Sequence, residues 1–451
     1  MRLWIGLDDH DSFYSGCTTH FSYILVKDLL KDFNAKLIGL PRLVRLNPNI
    51  PWKTRGNAAV SLEIEVNNST EREIFNYIVE KSISYEVKIG RVESKFKSPG
   101  VAVVTKLDEK LHWLYKKSVK DVIIIDIINK LARNLNLLVY GGRGSIGALA
   151  SIGFFFERFG TLELLLYRDE NMWGKRRKVV IKDPKALEGV VGTFNNYDFT
   201  KGRLLISPRG GDPVLLGIRG VNVDAISNVL KNLEFGEDVK GGLLFFTNQA
   251  TDSHINENVL VMTTTKVKGI LIKDPVVLQG GDVLFKIEND KGEELLVICY
   301  KETGTLNEAC RLLKKGDHVL ITGEVKITNG KLLINLEKLE ILELSRTYVN
   351  PPVKCAKCGG KLAKKSMGEF ACYKCKNSGL FSELYELKEV DRKLALGKYF
   401  PSPSSIRHLS MPATVETWGL LDINLLVKDP SVSSGASGAM TKLGIIPNQL
   451  E

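Results

Sequence analysis

Two stretches of the chain concentrate side chains able to hold a metal ion. Near the start, the apolar run Leu3 to Leu7 leads into Asp8, Asp9 and Asp11, followed by Gly16 and the hydroxyls of Thr18 and Thr19. Carboxylates packed this closely repel one another, and a hard cation such as Mg2+ between their oxygens relieves the repulsion. A metal that carries phosphate, beside a threonine at a helix start, suits phosphoryl transfer. The plainer reading is an Asp-rich turn capping the helix expected from residue 17. Far downstream, Cys355-Ala-Lys-Cys358 and Cys372-Tyr-Lys-Cys375 place two thiolates on each of two tight knuckles. Together they offer the four soft ligands of a closed tetrahedral Zn2+ site, which leaves no position for substrate and is therefore structural.

Two further stretches can meet an anion. Lys53 and Arg55 flank a turn made by Gly56, after the extended Asn47-Pro-Asn-Ile-Pro51, and can reach phosphate oxygens. A short strand ends in Gly141-Gly-Arg-Gly-Ser-Ile-Gly147, where glycines let a backbone approach a ligand and Arg143 adds a fixed charge. The run lacks the Gly-Lys-Ser/Thr ending of a Walker loop. Beside the acidic loop, it reads as a triphosphate cradle.

Elements to position these groups follow from the apolar spacing. Residues 17–33, 69–85 and 106–136 read as helices, the last with an apolar centre at 122–128. Between the last two lies the basic loop Lys95-Phe-Lys-Ser-Pro-Gly100. From residue 154, short strands and helices alternate as in a small ferredoxin-like α+β sandwich. Residues 257–344 run as three strands, a helix and two strands, the order of an OB-fold barrel that binds oligonucleotides. Lysines crowd the cysteine knuckles, and residues 392–409 mix cations with aromatics and prolines, a composition suited to gripping nucleic acid. The expected organisation is multidomain α+β: an α/β nucleotide-site unit (1–153), a ferredoxin-like unit (154–255), an OB-fold (256–346), a zinc ribbon (347–391), a basic nucleic-acid-gripping segment (392–425) and a flexible tail (426–451).

A formal charge of +11 points to a polyanionic partner, most commonly nucleic acid. No apolar tract is long enough to span a membrane, and the start lacks the pattern of a signal peptide. Seven cysteines, four of them in C-x-x-C pairs, argue for metal binding in a reducing cytoplasm rather than for disulfides.

In order along the chain, Gly6 to His20, Leu46 to Asn57, the Gly141 to Gly147 loop, Asp212 to Gly220, Thr247-Asn-Gln249 and the barrel with its cysteine knuckles resemble the archaeal isoleucine-tRNA 2-agmatinylcytidine synthetases. The resemblance spans roughly nine-tenths of the chain, more than chance motif matches provide. It implies an enzyme that uses ATP to phosphorylate the 2-carbonyl oxygen of the wobble cytidine in the CAU anticodon. Agmatine then displaces phosphate, ATP ends as AMP, and codon reading changes from AUG to AUA. It also implies that residues 1–153 form a kinase-like catalytic domain, that residues 392–425 contact tRNA, and that Thr18 is autophosphorylated beside the catalytic Asp8, Asp9 and Asp11; the basic and glycine-rich loops add expected ATP contacts at Lys53, Arg55, Asn57, Gly142, Arg143, Gly144, Ser145 and Gly147. Agmatine is a dication and needs carboxylates, for which Asp198 and Asp212 are the candidates. One departure falls inside the acidic motif, where His10 stands in place of an expected threonine. Two other readings compete: a non-catalytic protein that binds single-stranded nucleic acid, and an ATP-dependent tRNA modifier that uses another amine.

Overall fold

The computed structural model describes residues 1–12, 15–53, 56–89, 98–188, 192–349, 354–366, 369–380 and 388–428. Arg55, residues 95–97 of the basic loop and the tail from 429 lie outside them. Strand β1 (Arg2–Asp8) is an inner strand of a ten-stranded sheet. Along the chain follow α1 (Thr18–Asp32), β2 (Arg42–Arg45), β3 (Ala58–Glu65), α2 (Glu71–Lys88), β4 (Gly100–Val104), α3 (Glu109–Lys120), α4 (Ile125–Leu135), β5 (Leu138–Tyr140), α5 (Gly144–Gly153), β6 (Phe159–Arg168), β7 (Val214–Gly220), α6 (Val223–Lys231) and β8 (Val239–Thr247).

Alternation along β1 assigns its side chains to two faces. Leu3, Ile5 and Leu7 pack with Phe21, Leu25 and Leu29 of α1 and Ile74 and Ile78 of α2. The opposite face carries α3, α4, α5 and α6, packed on Ala59, Ala102, Leu162 and Leu164. Gly6 lies under α5 so closely that a Cβ there would stand 1.9 Å from the Ala148 carbonyl oxygen. Only glycine permits that approach.

The strand order is β7-β6-β8-β2-β3-β1-β4-β5, antiparallel throughout except for the β8–β2 pair. That parallel seam joins the two units expected to meet at residue 153 into one sheet. Strand β4 has no counterpart in the sequence reading, and the single helix expected over 106–136 is two. The chain breaks at Asp121, which takes an extended conformation as the C-cap of α3. The β-branched run that follows, Val122 to Ile125, has weak helix propensity, and its apolar side chains line a cavity instead of a helix interior.

Strands β9 (Thr264–Leu271), β10 (Val283–Asn289), β11 (Glu294–Cys299), β12 (His318–Thr328) and β13 (Lys331–Glu343) close a barrel, with α7 (Thr305–Leu312) between β11 and β12. Val267, Phe285, Val297, Ile321 and Ile334 fill it. A three-stranded module of β14 (Leu362–Ser366), β15 (Glu369–Cys372) and β16 (Ser378–Leu380) carries the cysteine pairs. The chain then runs back over the molecule. Strand β17 (Gly397–Tyr399) adds to β13, and β18 (Leu421–Asp422) adds to β6.

In this returning segment, three cations pair with other residues of the protein. Arg392 pairs with Asp317, Lys398 with Glu416, and Arg407 with Glu324, Glu337 and Asn49. It works as a clasp between the barrel and the sheet. No described helix is long and apolar enough to cross a membrane.

Candidate active site

Asp8 is the last residue of β1, and alternation puts it on the α5 face with Trp4 and Gly6. The backbone then turns sharply at Asp9, whose φ of 61° lies in the left-handed region. The Asp9 amide donates to Asp8 Oδ1 at 2.7 Å, and Asp9 Oδ2 accepts the Ser98 amide at 2.6 Å. Two residues on, Asp11 Oδ2 accepts the Thr18 hydroxyl at 2.9 Å, while the His10 amide donates to Thr18 Oγ1 at 3.1 Å. The acidic residues do not cap α1: its N-cap is Cys17, with no side-chain cap bond. His10 is buried, stacked on Phe21 at 4.2 Å, and its Nε2 lies 2.7 Å from Ser82 Oγ. The ring therefore braces the loop from inside, a task a threonine is too small to perform.

Two cavities open on opposite faces of the sheet, and the acidic loop borders both. The first, about 480 Å3, is lined by Asp8, Asp9, Lys53, Asn57, Arg143, Gly144 and Gly147, with Trp52 and Val122 to Ile125 as apolar wall. The second, about 420 Å3, is lined by Asp11, Thr18, Arg45, Glu163, Arg209, Asp212, Arg219 and His408. Asp11 therefore parts from Asp8 and Asp9. Among the described residues, the cysteine quartet is the only group of three or more potential ligands whose donor atoms lie within 4.8 Å of one another. Of the three carboxylates expected to share Mg2+, Asp8 and Asp9 line one cavity and Asp11 lines the other, on either side of the turn at Asp9.

The glycine run divides its labour between packing and cavity. The Gly142 amide donates to Ser98 Oγ at 2.7 Å and the Gly144 amide to the Ser98 carbonyl at 3.0 Å. Ser145 Oγ donates to the Gly142 carbonyl at 2.6 Å. Neither Gly142 nor Ser145 lines the first cavity, whereas Arg143, Gly144 and Gly147 do. A Cβ on Gly147 would stand 2.0 Å from Asp8 Oδ2, so this glycine makes room for the carboxylate. Asn57 lines the cavity but gives its amide to the Asn47 carbonyl at 2.8 Å.

Glu163 is the hub of the second cavity. Its Oε1 meets Arg219 Nε at 3.2 Å, and its Oε2 meets Arg45 at 3.2 Å and the Gln249 amide. Burial acts to raise its pKa, but the Arg219 and Arg45 charges outweigh it and hold the carboxyl below its ordinary range. Asp212 pairs with Arg177 at 3.0 Å. Asp198 lies elsewhere: its carboxylate accepts the Thr200, Lys201 and Ser404 amides and helps hold the returning segment. The sequence reading missed Arg45, Glu163 and Arg219. For Glu163 and Arg219 the signal is a charge inside a largely apolar strand, which must find a buried partner.

In the cysteine module, Cys355 and Cys375 Sγ stand 3.5 Å apart, as do those of Cys358 and Cys372. The Lys374 and Cys375 amides point at Cys372 Sγ from 3.3 and 3.5 Å. All four sulfurs converge, which fits a tetrahedral metal site.

The family model described as the TiaS TCKD domain matches residues 4–142, and that of the TiaS FLD domain matches residues 142–254. The chain is 39% identical over 425 residues to the isoleucine-tRNA 2-agmatinylcytidine synthetase TiaS of Saccharolobus islandicus, covering 91% of this chain and 93% of that protein. It is similar to the crystal structure of TiaS in complex with its isoleucine tRNA and ATP, with a TM-score of 0.80 and 32% identity over 91% of this chain and 97% of the other. A complex of TiaS with the same tRNA, AMPCPP and agmatine gives a TM-score of 0.76 and 30% identity, over 91% and 96%.

Proposed function

The chain belongs to the isoleucine-tRNA 2-agmatinylcytidine synthetase family, and from that premise we infer how its two cavities divide the reaction. The protein is an ATP-dependent ligase that attaches agmatine to the wobble cytidine of isoleucine tRNA with a CAU anticodon. The observation that carries the division of labour is the acidic loop, with Asp8 and Asp9 on one cavity and Asp11 and Thr18 on the other.

The first cavity suits ATP. Trp52 and the Val122 to Ile125 wall offer an apolar bed for adenine, while Lys53, Arg143 and the N-terminus of α5 favour the phosphates. Asp8 and Asp9 would hold Mg2+, which when bound neutralises charge on the transferring phosphoryl group. Asp11 accepts a hydrogen bond from the Thr18 hydroxyl and can serve as its base, which supports Thr18 as the autophosphorylated residue; since Thr18 borders the second cavity, the γ-phosphate would have to pass to it across the acidic loop that the two cavities share.

The second cavity suits agmatine and the flipped cytosine. Asp11, Glu163 and Asp212 complement a dication, and Arg45, Arg209 and Arg219 complement a phosphoryl group on the cytosine. The carbonyl oxygen is a poor leaving group until it is phosphorylated, so a site with charges of both signs is what the exchange needs.

Around this centre, the first sheet unit takes the kinase-like role and the β6–β8 unit the ferredoxin-like one. The barrel acts as an OB-fold, and the cysteine module as a structural zinc ribbon whose lysines meet tRNA. The working compartment is the cytoplasm. Mass spectrometry of isoleucine tRNA incubated with the protein, ATP, Mg2+ and agmatine tests the reading. Agmatine should appear on the wobble cytidine, with AMP accumulating. An adduct formed with a different diamine but not with agmatine, or binding of tRNA without ATP cleavage, overturns it.

A further inference from the structure

The hydrogen bonds of the second cavity fix the direction of every proton along one chain of groups. The Glu163 carboxylate, ionised between Arg45 and Arg219, can only accept. Gln249 must therefore present its amide NH2 to Glu163, which turns its carbonyl Oε1 toward His408. That oxygen lies 2.9 Å from His408 Nδ1 and cannot donate, so Nδ1 carries the ring proton. Nε2 is left with its lone pair.

Position and charge agree with that tautomer. His408 lines the second cavity, with Nε2 beside Gly56 on the cavity wall, 3.6 Å from where a Cβ on Gly56 would stand. The Arg45 charge, then loss of water, then the Arg219 charge hold its pKa well below the ordinary histidine range and keep the ring neutral. The charged groups that border the same space are Arg45, Glu163 and Arg219 from three strands, Asp11 from the acidic loop, and Arg209 and Asp212 from the loop before β7. Backbone bonds at 2.8 Å from the Ala250 amide to the His408 carbonyl and at 2.9 Å from the Asp252 amide to the Leu409 carbonyl hold the ring in place. The clasp that delivers His408 lies outside both family-matched domains.

We propose that His408 is a catalytic base for amine transfer: its Nε2 takes the proton from the agmatine nitrogen as that nitrogen bonds to the cytosine. The proposal rests on the second cavity being the amine site. Agmatine attacks as its neutral primary amine, the ammonium proton having first passed to solvent; as the C2–N bond forms, the attacking nitrogen becomes acidic and a second proton passes to Nε2. The C2–O bond then breaks, its electron pair leaving with the phosphate. Nε2 returns the proton to that phosphate, which leaves as hydrogen phosphate and restores the neutral ring. No oxidant or further reactant is required. The phosphoryl group beside Arg45 and Arg219 offsets the charges that weaken the base, so His408 gains basicity when its substrate is present.

Full-length His408→Asn and His408→Ala variants test this with isoleucine tRNA, ATP, Mg2+ and agmatine. An Asn side-chain amide retains a donor for Gln249 but has no ring base. Both variants should form agmatinylated tRNA about a hundredfold more slowly, with the agmatine KM changed less than about threefold. Product formed per ATP cleaved should also fall. The wild-type transfer rate should decline as pH is lowered and Nε2 protonates, and His408→Asn should lack that limb. Wild-type transfer by His408→Asn, a change confined to KM, or an equal fall in ATP cleavage and transfer overturns the role of His408 while leaving the amine site standing. Absence of any agmatine adduct with wild-type protein overturns the amine-site reading and the role of His408 with it.

Discussion

The acidic loop and the cysteine module both begin as a few closely spaced metal-ligand residues, and they fold to opposite outcomes. In the module, each C-x-x-C pair is one local turn, and all four sulfurs converge. In the loop, three carboxylates within four residues diverge to two faces of a sheet. The difference lies in what completes each turn. The knuckles are closed by their own neighbours: Cys355 bonds through its amide to Gly360, and Gly359 bonds back to Cys355, both at 2.8 Å. The loop is completed from far along the chain, by Ser98 on Asp9 and by the Gly147 gap beside Asp8.

The sharpest break in this comparison is Asp8→Asn against Asp11→Asn. Asp8→Asn should lower steady-state ATP turnover by about two to three orders of magnitude, as loss of a metal ligand commonly does. Asp11→Asn should instead fall mainly on labelling of Thr18 by γ-labelled ATP, and Thr18→Ala should remove that label. Equal loss of ATP turnover in both Asp variants would dissolve the two-cavity division.

Gly147→Ala comes next. Its methyl must displace the Asp8 carboxylate, so ATP turnover should fall about tenfold, with the melting temperature little changed because the displaced atom is the end of a side chain. Gly6→Ala, which meets backbone, should instead lower the melting temperature. A normal ATP turnover in Gly147→Ala would separate the glycine from the carboxylate.

On the cysteine side, metal analysis should find about one zinc per chain, lost in Cys355→Ser. That variant should weaken tRNA binding, read by filter retention at fixed salt, more than it lowers ATP turnover. The reverse order would bring the zinc into the catalytic assembly.

The smallest effect concerns the clasp. Burial would raise the Glu337 pKa, but Arg407, His254 and Ser410 outweigh it and hold it down to about 2, below its ordinary 4.5. A depressed carboxyl stabilises the fold above its unfolded pKa, and that contribution is lost as pH falls from about 4.5 toward about 2. Thermal melts across that window should show the loss, and Glu337→Gln should flatten it.

Local chemistry was legible in the residues alone. The cysteine spacing foretold the convergence of four sulfurs because each pair spans a single turn, and β1 followed by α1 placed Thr18 at a helix start, as the structure has it. The barrel order could be read because its strands alternate and its turns are short. What sequence could not decide depended on pairing between distant segments. The β8–β2 seam makes one sheet of two units, and the register of β2, β6 and β7 gathers Arg45, Glu163 and Arg219 around one cavity. The clasp set Arg392 and Arg407 in ion pairs with the barrel, and it brought His408 beside Gln249 across 159 residues. Such contacts depend on packing many elements at once, and no local spacing encodes which strand will lie beside which.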